Sequence, residues 1–232
     1  MVRQAVILAG GKGKRMKKGT SDPDLLSTPK QLLSVNGIPI IERNLKRLIE
    51  NGLEVAIVVN QETQGIFREA LKSYNVKYIL QDEALGTAHA LNLARDFIKD
   101  DLFLVLMGDD IVEYDDHVLE TAKSPTLFVY EVDNLDGYGA VMLDEKGKVV
   151  EIREKELTGP GLVNPGMYIL PKSFFDMYDK IPVNPKTNER YLTEVIRLFR
   201  ESGNPFDTQK LSLWMGVNTP EELKIARERL KT

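Results

Sequence analysis

The chain has 232 residues, 42% of them apolar, and a formal net charge of −4 at pH 7, enough for one large domain or two small ones around a sizeable core. It contains no cysteine, which excludes disulfides and thiolate catalysis and fits a cytoplasmic setting. The early basic residues are confined to one loop, no apolar run is long enough to span a bilayer, and the N-terminus enters a strand at once. Neither a nucleic-acid stripe, a membrane helix nor a signal peptide is therefore expected.

The first predicted strand is Ala5-Val6-Ile7-Leu8-Ala9, apolar without alternation, as a strand buried on both faces should be. It breaks into Gly10-Gly11-Lys12-Gly13-Lys14-Arg15-Met16. Glycines let the backbone turn sharply and aim free N–H groups at phosphate oxygens, while Arg15 can grip a phosphate through paired bonds. Two other glycine loops fail here. Met16 stands where the dinucleotide fingerprint needs its third glycine, and Arg15 stands where a P-loop needs Ser or Thr.

Residues 17 to 28 read as a polar loop without helical period, either a surface excursion or a lid. Pro29-Lys30-Gln31-Leu32-Leu33 follows. Pro39 to Gly52 predicts a helix with Ile40, Ile41, Leu45, Leu48 and Ile49 on one face. Strands are expected at 55–59 and 76–80, with a helix at 62–74 between them. Strands alternating with helices at this spacing imply right-handed βαβ units in a mostly parallel sheet, with ligands at the carboxyl ends of the strands.

The loop after the third strand runs Gln81-Asp82-Glu83-Ala84-Leu85-Gly86-Thr87-Ala88-His89. Gln81 carries the donor and acceptor needed to read a pyrimidine edge. Thr87 is placed to cap the next helix, and His89 is expected to pack or cap rather than catalyse. A fourth apolar strand, 102–106, ends in Met107-Gly108-Asp109-Asp110. A carboxylate directly after a buried strand, behind a glycine, is a frequent metal position. Asp109 takes that place, and Asp110 is expected to be solvated or to stabilise the loop.

After a helix near 116–123 and a strand at 126–132 come Gly137-Tyr138-Gly139 and a hairpin over 141–152. Then follow Arg153-Glu154-Lys155, Asn164-Pro165-Gly166, and Tyr191-Leu192-Thr193-Glu194 at a helix start. Gly139, Glu154 and Asn164 supply the neutral and anionic hydrogen-bonding groups that sugar hydroxyls need. Asn218 or Thr219 caps a last helix with Pro220 at its first position and acids in its first turn.

Leu-Ala-Gly-Gly-x-Gly-x-Arg-Met at Leu8 to Met16, followed by Pro-Lys-Gln-Leu at Pro29 to Leu32, resembles the sugar-1-phosphate nucleotidyltransferases. The later segments resemble that family in the same order, so the likeness covers essentially the whole chain. It implies an α/β fold, a Rossmann-like three-layer sandwich with a mostly parallel central sheet and a small sugar-binding β-hairpin insertion. The chain is then one catalytic domain over 1–232, with a nucleotide-binding half (1–110) and a sugar-binding half (111–232).

The resemblance implies transfer of a nucleotidyl group from a nucleoside triphosphate to a sugar 1-phosphate, with Mg2+ as cofactor. Arg15, Lys30 and Asp109 become the catalytic set. Leu8, Ala9, Gly10, Gly11, Gly13, Gln81, Gly86 and Thr87 become the nucleotide site. Gly139, Glu154, Asn164, Tyr191 and Thr193 become the sugar site, and Asp109 with Asn218 the metal site. Glu194 stands where the family has Asp, which leaves its role open. Gln81 and Gly86 favour UTP or dTTP, and the sugar segments lean towards the glucose and N-acetylglucosamine branches. A guanylyl- or cytidylyltransferase, or a non-catalytic module on the same fold, is the rival.

Overall fold

The computed structural model of the chain describes every residue except Lys155 and Thr232, and Glu154 through its backbone. The first half of the chain runs β1 (Gln4–Leu8), α1 (Lys14–Lys17), α2 (Pro23–Ser27), a 3-10 turn at Lys30–Leu32, a two-stranded ribbon β2 (Ser34–Val35) and β3 (Ile38–Pro39), then α3 (Ile40–Glu50). It continues with β4 (Glu54–Asn60), α4 (Gln64–Ala70), β5 (Lys77–Gln81), α5 (Thr87–Asn92), β6 (Leu102–Met107) and β7 (Asp110–Glu113). The second half runs α6 (His117–Thr121), β8 (Thr126–Val132), β9 (Gly139–Leu143), β10 (Val149–Glu154), β11 (Gly161–Val163) and β12 (Tyr168–Pro171). It closes with α7 (Phe174–Met177), a 3-10 turn at Tyr178–Lys180, α8 (Thr193–Glu201), β13 (Asp207–Lys210), β14 (Leu213–Gly216) and α9 (Pro220–Arg229).

One sheet carries both halves, in the order β10-β9-β11-β8-β12-β6-β1-β4-β5, with β13 beside β8. The strands β6, β1, β4 and β5 are parallel, as the alternating strand–helix pattern predicts. From β12 outward the neighbours along this order turn antiparallel. The hairpin β9–β10 therefore extends the central sheet through β11. Its turn is held by Asp144 Oδ1, which accepts from the Lys146 and Lys148 backbone N–H groups at 2.9 and 2.8 Å.

Alternation along β1 explains the layers. Val6 and Leu8 face α5, α7 and α8, through Ala88, Leu91, Phe174, Val195 and Phe199. Ala5 and Ile7 face α3, α4 and α6, through Ile41, Leu45, Leu48, Phe67 and Leu119. Each large side chain buried in this way contributes about 1.5–3 kcal/mol. A third, smaller cluster lies under the glycine loop, where Met16 and Leu25 pack with Ile40, Ile111, Met215, Val217 and Leu223. Met16 is 1% exposed, so this cluster pins α1 and the loop before it against β14 and α9.

The segment 17–28, read from the sequence as an aperiodic loop, contains the short helix α2. Asp22 caps it by accepting from the Asp24 N–H at 2.9 Å, and Pro23 occupies its first turn. None of the described helices is long and apolar enough to cross a membrane.

Candidate active site

The carboxyl ends of β1 and β6 lie side by side, since Leu8 pairs with Met107 in parallel register. Leu8 and Ala9 are buried, and the Ala9 N–H donates to Val58 O at 2.8 Å. The chain then leaves the sheet at Gly10, whose carbonyl accepts from Asn60 Nδ2 at 3.1 Å. A Cβ on Gly10 would lie 2.5 Å from Gln81 Oε1. Any side chain there would have to displace the Gln81 amide, which packs against the glycine loop. Gly13 takes φ 64° and leads into α1. Among the described residues, no protein acceptor takes the N–H groups of Gly11, Lys12 or Gly13. These donors remain available to an anion.

Three distant side chains meet beside this loop. Lys30 Nζ donates to Asp109 Oδ2 and, at 2.8 Å, to Asn218 Oδ1. Arg15 donates from a terminal guanidinium nitrogen to the same Asn218 oxygen at 2.9 Å. Asp109 is fixed through its backbone, since its carbonyl accepts from the Val217 N–H at 3.0 Å while the Gly108 N–H donates to Leu8 O at 2.9 Å. Gly108 sits close to β1, since a Cβ there would lie 3.2 Å from both the Ala9 Cβ and Leu8 O. The capping box of α9 places Asn218. Thr219 is the cap, and Glu222 Oε2 accepts from the Thr219 and Asn218 N–H groups at 3.0 and 2.7 Å. With Thr219 capping, the Asn218 side chain is free to face the loop.

Asp110, expected to be solvated or to stabilise the loop, is buried at 7% exposure. It starts β7, which pairs with β14, so its side chain turns inward beside Gly216, and Asn44 Nδ2 donates to its carbonyl at 2.6 Å. Burial pushes its carboxyl well above the usual carboxylate range, the neighbouring Asp109 charge adds to this, and the Trp214 indole and Lys30 pull the other way.

Gln81, also 7% exposed, ends β5 next to Asn60 of β4. Its amide nitrogen lies 3.5 Å from Gly86 O and 3.4 Å from His89 Nδ1. His89 thus packs on Gln81, in keeping with its expected supporting place. Gly86 takes φ 99° and is itself the N-cap position of α5. Thr87, expected to cap this helix, lies one residue inside it, and its hydroxyl instead accepts from the Leu192 N–H at 3.0 Å. The Ala88 N–H donates to Arg190 O, and the Arg190 N–H to Leu85 O. The segment carrying Tyr191 and Thr193 is therefore docked on the Gly86 loop.

The remaining predicted sugar residues gather elsewhere on the sheet. Gly139 faces Glu154 across the β9–β10 ladder, and its carbonyl accepts from the Asn164 N–H at 3.3 Å. The side chain of Glu154, with Lys155, lies outside the described residues. Asn164 spends part of its amide internally, donating to the Tyr168 hydroxyl at 2.7 Å and accepting from the Gly166 N–H at 2.8 Å. A Cβ on Gly166 would lie 2.9 Å from Met107 Cγ, so this turn abuts the strand end that carries Asp109. Among the described residues, no hydrogen bond joins Tyr191 or Thr193 to Gly139 or Asn164. The Tyr191 hydroxyl pairs with Thr187 at 2.8 Å.

Sequence reasoning passed over four polar residues of the site. Asn60, Asn44 and Glu222 hold Gly10, Asp110 and Asn218 in place, each through a bond recorded above. Gln31 is 1% exposed beside Gly11 and Gly108, and its Oε1 is buried without a partner. A glutamine inside an otherwise apolar Gln-Leu-Leu turn was the available signal for Gln31. Nothing local marks Asn60 or Asn44.

Residues 4–231 match the pattern of the nucleotidyl transferase family. The chain is 34% identical over 222 residues to the bifunctional protein GlmU of Methanococcus maripaludis, covering 93% of this chain and 51% of that protein. The chain spans about half the length of the curated GlmU relatives it matches. Among solved structures, HddC of Yersinia pseudotuberculosis superposes with a TM-score of 0.77 at 25% identity, covering 99% of this chain and 100% of that one, and it has also been solved with GMP-PN. A candidate glucose-1-phosphate thymidylyltransferase from Bacillus anthracis, solved with sucrose, superposes at 0.83 over 98% of this chain and 95% of that one. At 23% identity it speaks for the fold alone.

Proposed function

This chain belongs to the nucleotidyl transferase family, and from that premise we propose that it transfers a nucleotidyl group from a nucleoside triphosphate to a sugar 1-phosphate. The observation that carries this reading is the meeting of Arg15, Lys30, Asp109 and Asn218 beside a glycine loop with free N–H donors. A phosphate oxygen of the sugar 1-phosphate attacks the α-phosphorus in line, the bond from that phosphorus to the bridging oxygen breaks, and pyrophosphate leaves with the electron pair. Such a displacement needs positioning and charge neutralisation rather than a covalent nucleophile.

The roles follow from placement. The N–H groups of Gly11 and Gly13 cradle the triphosphate, on a strand end formed by Leu8, Ala9 and Gly10. Arg15 holds the leaving pyrophosphate, and Lys30 lies between the donor and acceptor phosphates. Asp109 and Asn218 offer a carboxylate and an amide oxygen that converge on one cation, the Lys30 ammonium. That is a hard-oxygen donor set suited to Mg2+. Among the described residues no group of three acidic or His side chains offers a complete cage, so an ion held there completes its shell with phosphate oxygens and water. Bound there, Mg2+ would neutralise phosphate charge.

Gln81, against Gly10 and supported by Gly86 and Thr87, is the base reader, and its amide suits the imide edge of uracil or thymine. We assign the acceptor sugar to Gly139, Glu154, Asn164, Tyr191 and Thr193. Asn164 keeps one N–H and one lone pair beyond its internal bonds. A gluco-configured acceptor is favoured by the motif order around these residues. The second reading is a guanine nucleotide, in view of HddC with GMP-PN.

The test is pyrophosphate release with UTP, dTTP, GTP, CTP and ATP, each against glucose, N-acetylglucosamine and mannose 1-phosphates. Turnover led by UTP or dTTP with a gluco sugar supports the proposal. GTP with mannose 1-phosphate would replace its substrate half, and no release from any pair would remove it.

A further inference from the structure

We propose that Lys30 is a built-in counter-ion that closes the divalent-cation ligands until a triphosphate draws it away, so that metal binding follows nucleotide instead of preceding it. The inference rests on the reading of Asp109 and Asn218 as metal ligands given above, and it adds an order of events.

The argument starts from lone pairs. An amide oxygen offers two acceptor sites, and Asn218 Oδ1 fills both, one with Lys30 Nζ at 2.8 Å and one with Arg15 at 2.9 Å. Asp109 Oδ2 also takes the Lys30 ammonium. The pair is enclosed, with side-chain exposures of 12% for Lys30 and 15% for Asp109, so water screens it less than a surface pair. Asn218 Oδ1 therefore has no acceptor site left for a dication, and a dication at Asp109 would stand close to the Lys30 ammonium and be repelled by it.

A second observation says where the lysine goes. Its stem lies along the phosphate loop, and the point where a Gly13 Cβ would stand is 3.8 Å from Lys30 Cγ. The loop's free N–H groups therefore sit beside a flexible four-carbon stem. A triphosphate bound on the loop presents several negative oxygens within reach of Nζ. Moving the ammonium onto them keeps it paired and frees Asp109 Oδ2 and one of the two acceptor sites of Asn218 Oδ1.

The experiment is a Mn2+ titration of the full chain without nucleotide, read by the electron paramagnetic resonance signal of free Mn2+. Wild type should bind weakly, and tightly once a non-hydrolysable α,β-methylene UTP analogue is added. Lys30→Met should bind Mn2+ at least tenfold more tightly than wild type without nucleotide, and Asp109→Asn in that background should abolish the gain. Lys30→Gln, which keeps a polar group, serves as the second variant and should gain in the same direction. Lys18→Met removes the same charge from an exposed position and should change nothing. Equal affinities for wild type and both Lys30 variants, or an equal gain in Lys18→Met, would overturn the inference. If analogue-dependent Mn2+ binding still disappears in Asp109→Asn, the metal site stands and only the order falls. If that binding survives Asp109→Asn, the metal site itself is wrong, and the inference goes with it.

Discussion

Lys30 and Asp109, 79 positions apart in the chain, form an ion pair at the junction of the glycine loop and the end of β6. Neither element could place that pair alone. Lys30 comes from a 3-10 turn packed on the loop, and Asp109 from a strand end whose neighbour Gly108 is pressed against β1.

Asp109→Asn should leave the fold intact, since the change creates no core cavity and Lys30 keeps its bond to Asn218. The melting temperature should move by less than about 4 °C, the effect of ~1 kcal/mol in a chain of this size. Turnover should fall by roughly a hundredfold or more, the scale of one lost electrostatic stabiliser. Unchanged turnover in the variant, or full wild-type activity in excess EDTA, would remove Asp109 from the reaction.

Arg15→Ala should separate chemistry from folding. The residue is exposed, and its recorded side-chain bond goes to Asn218. Exposed substitutions away from caps and cores stay within about 0.5 kcal/mol of wild type. Pyrophosphate release should drop while thermal unfolding stays within a few degrees of wild type. A large loss of stability with normal turnover would make the loop a structural turn.

Gly86→Ala should act through one contact. A Cβ there would lie 2.3 Å from Arg190 O and 2.8 Å from Arg190 N, at φ 99°. The substitution should cost about 2–4 kcal/mol by strain and overlap together. It should also raise the KM for the triphosphate, because the loop that supports Gln81 must leave Arg190. Gly147→Ala is the comparison. At φ 75° with nothing within 4 Å, it meets only the strain of about 1–2 kcal/mol and should leave KM unchanged. Equal effects from the two variants would show that the clash at Arg190 is not what matters.

Asp110→Asn should stabilise the protein at neutral pH. Burial raises the Asp110 pKa in the folded state, with the Asp109 charge adding to the shift. As pH rises past the ordinary carboxylate range, the unfolded chain releases this proton while the folded chain holds it, so the folded state binds more protons and stability falls with rising pH. The wild type should lose stability relative to the Asn variant between acid and neutral pH, and the two should converge below the ordinary carboxylate pKa. Differential scanning calorimetry of both proteins across that range measures this. A variant less stable than wild type at pH 7 would place an ionised, well-partnered Asp110 in the fold.

The sequence by itself determined the features that depend on neighbours in the chain. A short unbroken apolar run that ends in glycines, such as Ala5 to Ala9, reads as a strand buried on both faces, and it is buried throughout. The periodicity of α3 and the Pro-Glu-Glu start of α9 each specify a helix through local spacing and capping. Arg15 and Asp109 were singled out by a glycine turn and a strand end, and Lys30 and Asn218 only through the resemblance of the motifs around them; that the four side chains meet is a property of the fold. The tertiary structure decided what depends on registers and docking between distant segments. Asp110 is buried because β14 pairs with β7, which no local pattern around residue 110 encodes. Thr87 serves Leu192 because residues 188–192 dock on the Gly86 loop. The side-chain space at Gly10 is taken by the Gln81 amide, which arrives from two strands away. Alternation and capping act within a few residues, whereas the burial of a carboxylate and the space left for a glycine are set by whichever strand arrives opposite, and that is known only once the whole sheet has closed.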